Sequence, residues 1–195
     1  QTYNYDDMYD NFASDEAQKL LYHLGVAIDM GYSPDGSGAW VGQGNPSAMT
    51  ALRDHFLFDN SIDYISKNSL SNADYLSLIV DELNNNRPLI SRGCSNDGCH
   101  AWNLDGYDGE YIHSNFGWGG SMDGYFALSS MGGFSGSQGI VFNLIPSTLE
   151  VPNVVLSDYN QIEVTGDFDG VYNPGETIEL SIVVENLIPW NNASN

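Results

Sequence analysis

The feature that most constrains this chain is a hairpin signal: two strand-like runs, 100–107 and 110–116, flank the pair Asp108 and Gly109. Asp-Gly between such runs is a strong mark of a two-residue turn. That turn sets Tyr107 opposite Glu110, Trp102 opposite Asn115 and His100 opposite Gly117. His100, Trp102 and Leu104 then share a face with His113 and Asn115, because side chains alternate along a strand. His100 and Asn115 become diagonal neighbours, roughly 7–8 Å apart at the backbone and within reach of long side chains. Gly117 leaves room for the imidazole to turn. An amide beside a histidine fixes its tautomer and aims its other ring nitrogen at a nucleophile, as in a Cys-His-Asn arrangement. The plainer alternative is a structural histidine next to an asparagine satisfied by the backbone.

Upstream of the hairpin the periodicity is helical. Ser14 is a good N-cap, followed by Asp15 and Glu16 at the positive helix end. Ala17, Leu20, Leu21 and Leu24 form an apolar stripe that Gly25 is placed to end, although the apolar run continues to Met30. Residues 32–40, rich in Gly and Ser, predict a flexible loop. A second helix is expected from Asn45 and Pro46, with Ala48, Leu52 and Phe56 along one side. A third starts at Ser71, has Asp74 in a capping-box-like position, and buries Leu76, Ile79, Val80 and Leu83. After Arg87 and Pro88 the pattern turns to strands, near 88–92, 100–107, 110–116, 124–128 and 139–145. Helices first and an antiparallel sheet later define an α+β domain, expected over 1–147. From Val151 the texture is all-β, and 148–195 is expected to be the start of a β-sandwich accessory domain of the Ig-like kind, cut short.

Charge narrows the partners. The chain has 195 residues, 26 acidic and 5 basic, for a net charge of −21. Phosphate binding needs clustered Lys and Arg, so nucleic acid is excluded as a partner. No apolar stretch approaches the ~18 residues of a spanning helix, so no membrane insertion is expected. The first residue, Gln1, is not methionine and no leader precedes it, so the chain is expected to be processed or cut from something longer.

The runs GCHAWNLDGY (98–107) and HSNFGWGG (113–120) resemble the streptopain family of secreted bacterial cysteine peptidases. That family carries Gly-His-Ala-x-x-x-Asp-Gly, then His-x-Asn-aromatic-Gly-Trp-Gly-Gly. Asp123 with the following Gly-Tyr-Phe, the run from Ala27 to Met30, Pro34 and the Gly36–Gly38 run match as well. The resemblance covers about residues 3 to 146. It implies a papain-like fold, His100 as general base and acid, Asn115 as its orienter, and Trp118 or Phe116 as a shield over their hydrogen bond. Gly98, Cys99 and Ser37 fall where the family meets substrate or supports the site; Cys99 stands where the family usually has Gly.

The family's nucleophilic cysteine lies on a helix a few tens of residues upstream of Tyr3–Tyr5, and this chain has no cysteine before Cys94. The chain is therefore expected to be the C-terminal part of such a domain, with its nucleophile elsewhere. Cys99 adjoins His100, so the two side chains point to opposite faces of a strand. Cys94 and Cys99 either form a loop-stapling disulfide or stay free. A zinc site from them with His100 and His113 lacks the usual ligand spacing, so neither metal nor cofactor is expected. His113 reads as structural or supporting, and His23 and His55 as structural. The segment Asp167–Glu176 opens like modules appended to secreted enzymes; it is either a Pro-Gly turn or a set of carboxylates able to hold calcium.

The reading that follows is a cysteine endopeptidase acting on peptide or protein substrates, made with a pro-segment, secreted or on the bacterial cell surface. The alternative is a non-catalytic peptidase-like binding module.

Overall fold

The computed structural model describes residues 3–9, 12–147 and 154–186, with side chains at 157–183 only in the last stretch. It separates into two compact units, Gln1–Ser147 and Thr148–Asn195.

The first unit opens with helix α1 (Asp15–Ala27), whose N-cap Ser14 accepts the Ala17 N–H. Gly25 does not end this helix. It lies inside it and beneath a side chain, where an added Cβ would fall 2.1 Å from the Tyr32 hydroxyl. Helix α2 (Ala48–His55) starts two residues later than Asn45 and Pro46 suggest, because Ser47 and Thr50 cap each other reciprocally. Helix α3 (Asn72–Asn84) follows N-cap Ser71. Its buried face is Tyr75, Ile79 and Glu82, spaced at helical repeats, while Leu76, Val80 and Leu83 pack at the core's margin.

The strands are β1 (Asp63–Ser66), β2 (Leu89–Cys94), β3 (Cys99–Asp108), β4 (Tyr111–Asn115), β5 (Gly124–Ala127) and β6 (Gly136–Phe142). They form one antiparallel sheet in the order β1-β6-β2-β3-β4-β5. β1 escapes the sequence pattern because it is four residues long and sits at the sheet edge. Tyr75 and Ile79 of α3 meet Leu89, Trp102, Leu104, Ile112 and Ile140 from four strands in a single core. Glu82 is the charged member of this interface. It accepts two hydrogen bonds from Arg87 (3.0 and 2.6 Å) and one from the Asn143 N–H (2.9 Å), tying α3 to the end of β6.

The second unit is a two-stranded antiparallel ribbon, β7 (Val154–Thr165) with β8 (Thr177–Asn186). β7 runs unbroken from Val154 to Thr165, with its pairing to β8 shifting register near Ser157 and Val164. In the connecting loop the Asp169 carboxylate accepts the Val171 N–H and Glu176 accepts the Asn173 N–H. Glu163, Asp167 and Asp169 each bring a carboxylate oxygen within 4.8 Å of the others.

Candidate active site

The register of the β3–β4 hairpin differs from the sequence expectation, and the difference rebuilds the site. Asp108 pairs with Tyr111, so the turn is Gly109-Glu110, with Gly109 at φ 58° in the position that needs a positive value. A bulge at Asp105 then shifts the pairing again, and Asn103, not Trp102, lies opposite Asn115. A one-residue slip moves a side chain to the other face of the sheet. Asn115 thus falls on the side of Asn103, away from Trp102 and His100. His113 pairs with Gly106 instead of Leu104.

The expected hydrogen bond between His100 and the Asn115 amide is therefore replaced. His100 Nε2 lies 2.9 Å from the main-chain oxygen of Phe116. A carbonyl only accepts, so Nε2 carries the proton and Nδ1 of the neutral ring is left as the base. Asn115 acts one step back: its Oδ1 accepts the Gly117 N–H at 3.0 Å. The carboxylate of Asp123 accepts the Phe116 N–H at 2.9 Å. Phe116 has its ring buried in the core, and Gly117 follows it with φ 75°. The carbonyl that meets His100 is thus held from both sides of its residue by side chains and from within by packing. Asp123 is visible to sequence reading only as part of the family resemblance. The Phe116 carbonyl leaves no side-chain signal at all.

Aromatic rings enclose the imidazole. Trp118 is closest, with ring centroids 4.6 Å apart, followed by Phe134 at 5.5 Å, Phe116 at 6.1 Å and Trp102 at 6.4 Å. Trp118 is itself exposed, while Phe116 packs in the core. Phe134 was not legible as a site residue from the sequence.

Other candidates fall elsewhere. Ser37 closes its own loop, accepting the Ser33 N–H. Gly98 belongs to the four-residue connection between β2 and β3, at φ 144°. Cys94 and Cys99 are joined in a disulfide across the directly opposed ends of those strands, so neither is a free thiol. His113 Nδ1 lies 2.5 Å from Asp105 Oδ1, and its ring meets Tyr125 edge-on at 4.9 Å. His23 bonds the Tyr3 hydroxyl. A shallow cleft of about 200 Å³ is lined by Ile90, Ala101, Trp102, Asn103, Asn115, Phe116 and Gly117; it includes Asn115 and not His100.

His100 is thus held through one ring nitrogen beneath an indole, and among the described residues its other nitrogen makes no hydrogen bond. Residues 1–126 match the model of the Peptidase C10 family, and the chain belongs to that family. It is 33% identical over 140 residues to streptopain of Streptococcus pyogenes serotype M28 (strain MGAS6180), covering 66% of this chain and 34% of streptopain. It is 30% identical over 175 residues to the thiol protease/hemagglutinin PrtT of Porphyromonas gingivalis, covering 80% of this chain and 20% of that protein. The chain thus spans about a third of the length of streptopain. The active wild-type interpain A cysteine protease of Prevotella intermedia superposes with a TM-score of 0.65 at 28% identity, over 74% of this chain and 65% of that one. The fold is α+β and papain-like, as the sequence resemblance implies.

Proposed function

We propose that this chain carries the histidine half of a thiol-dependent endopeptidase, and that the nucleophilic cysteine lies in a part of the protein outside this chain. The observation that carries the reading is the 2.9 Å contact from His100 Nε2 to the Phe116 carbonyl. It leaves Nδ1 to take the proton of a thiol as that thiol attacks a peptide carbonyl. The same nitrogen then returns the proton to the departing amine. Asn115 and Asp123 serve by fixing the 116–117 backbone, and Trp118 by keeping water from the bond. Substrates are peptides or proteins. Export to the cell exterior or surface fits the disulfide, since such bonds persist in oxidising compartments. Among the described residues no helix is long and apolar enough to cross a membrane. A pro-segment belongs to the same reading. The β7–β8 ribbon is the opening of an accessory β-sandwich, for which its apolar stripe of Ile178, Leu180 and Ile182 provides one inner face.

The test is cleavage of an unstructured protein substrate by the full-length protein. Activity should require a free thiol, vanish on alkylation, and fall by about 100-fold or more in His100→Ala. A full-length protein that binds peptide but does not cleave it, with or without reductant, would convert the reading to a peptidase-like binding module.

A further inference from the structure

We propose that the Cys94–Cys99 disulfide positions His100, and that its reduction by a small dithiol loosens the imidazole. The catalytic consequence rests on His100 being the base proposed above; the positioning does not.

His100 lies at the frayable end of its strand. On the β4 side the ladder stops at Asn103–Asn115, so residues 99–102 have no β4 partner. On the β2 side His100 pairs with Gly93, which offers no side chain to brace the ring, and the only pair beyond is Cys94–Cys99 itself. β2 is also irregular here, its pairing with β6 shifting between Arg92 and Cys94. The connection from Ser95 to Gly98 is exposed from Asn96 onward and held only by bonds within itself: the Ser95 N–H and hydroxyl donate to the Gly98 carbonyl (2.8 and 3.3 Å), and the Asp97 N–H donates to the Ser95 hydroxyl (3.1 Å). The covalent bond therefore closes the last rung next to the histidine. It spans only five residues of sequence, so its contribution to global stability lies at the low end for such bonds. Its effect is local, at the pair beside it.

The bond is also placed to be opened. Cys99 is exposed and Cys94 half-buried. Arg92 Nη2 lies 3.5 Å from Cys94 Sγ. Attack by a thiolate of a dithiol on Cys99 Sγ breaks the Sγ–Sγ bond and expels Cys94 as a thiolate beside that guanidinium, which favours the leaving group. The second thiol of the reagent then displaces Cys99 from the mixed disulfide. The products are two cysteine thiols and the oxidised, cyclic reagent; the two sulfurs gain two electrons and two protons, all from the dithiol.

The experiment uses ring ¹⁵N spectra of this chain, oxidised, reduced with dithiothreitol, and as the Cys94→Ser/Cys99→Ser double variant. The oxidised chain should show a protected Nε2–H on His100. Reduction and the serine pair should both broaden or remove that signal, while the His23, His55 and His113 signals stay in place. Arg92→Gln should slow the reduction. Identical His100 signals in all three states would overturn the proposal. Should the serine pair fail to fold, reduction of the wild-type chain decides alone, with unchanged His113 signals certifying the fold. In the full-length protein, at a monothiol level that spares the disulfide, the serine pair should lose kcat by up to about 100-fold. KM should stay within about twofold, because positioning acts on the chemical step. A ring change without cleavage by any form supports the positioning and overturns only the peptidase reading; cleavage without a ring change overturns the positioning.

Discussion

Two regions of this chain use the same strand alternation and reach different packing. In the first unit, Leu104 of β3 and Ile140 of β6 are wholly buried, because α3 lays Tyr75 and Ile79 over their side of the sheet. In the β7–β8 ribbon, Ile178, Leu180 and Ile182 alternate as regularly yet remain 42–56% exposed among the described residues. Alternation makes a strand, whereas an interior needs a second layer. The polar groups divide in the same way. His100 is oriented by a carbonyl 16 residues away, and Glu82 is bonded by an amide 61 residues away. The carboxylates of Glu163, Asp167, Asp169 and Glu176 accept from main-chain N–H groups no more than five residues off. Local bonds shape a loop; only bonds that cross the fold can hold a side chain against a partner from another element.

That contrast can be broken in three places. The largest effect is expected from Leu104→Ala, which empties a fully buried site and should lower stability to urea by about 2–5 kcal/mol. Glu82→Gln comes next, with a loss of about 2 kcal/mol at neutral pH, since it weakens charge-assisted bonds to Arg87 and Asn143. Burial pushes the Glu82 carboxyl up, but the bonds from Arg87 and the Asn143 N–H together outweigh it and hold it below the usual value. A lowered folded value means the contribution is complete above the unfolded value of about 4.3 and disappears as pH falls through the folded one. The wild type and Glu82→Gln should therefore converge in acid, and unfolding curves at neutral and acid pH would show it. Parallel curves at both pH values would mean that the carboxylate's charge does not matter. The smallest effect belongs to Leu180→Ala in the ribbon, expected within about 0.5 kcal/mol of wild type in the same titration. A loss matching that of Leu104→Ala would show a covered apolar face on β8 and erase the contrast.

Much of the first unit could be read from sequence, and the limits were physical. The caps Ser14 and Ser71 mark their helices directly, because a side-chain acceptor and the helix start are the same event. The hairpin and the shared face of His100, Trp102 and Leu104 were legible for a similar reason: alternation is a local property. Pairing register was not. The Gly109-Glu110 turn moves the register by two residues and the bulge at Asp105 takes one back, and nothing in the residues at 105 announces the second shift. The result exchanges the expected side-chain amide of Asn115 for the main-chain oxygen of Phe116. Reading side chains alone cannot find a partner that every residue possesses. The glycines at 117, 119 and 120, each with positive φ, mark a loop built for unusual backbone geometry, and that was the available hint.

The central claim is that the backbone, through Phe116, fixes which nitrogen of His100 is free. Its most direct test is the tautomer of the neutral His100 ring, read from ¹⁵N chemical shifts and ring N–H couplings above its titration. The account predicts a proton on Nε2, donated to the Phe116 carbonyl, with Nδ1 bare. A proton on Nδ1 would contradict it, because Nε2 would then face the carbonyl as a second acceptor and the free base would not exist.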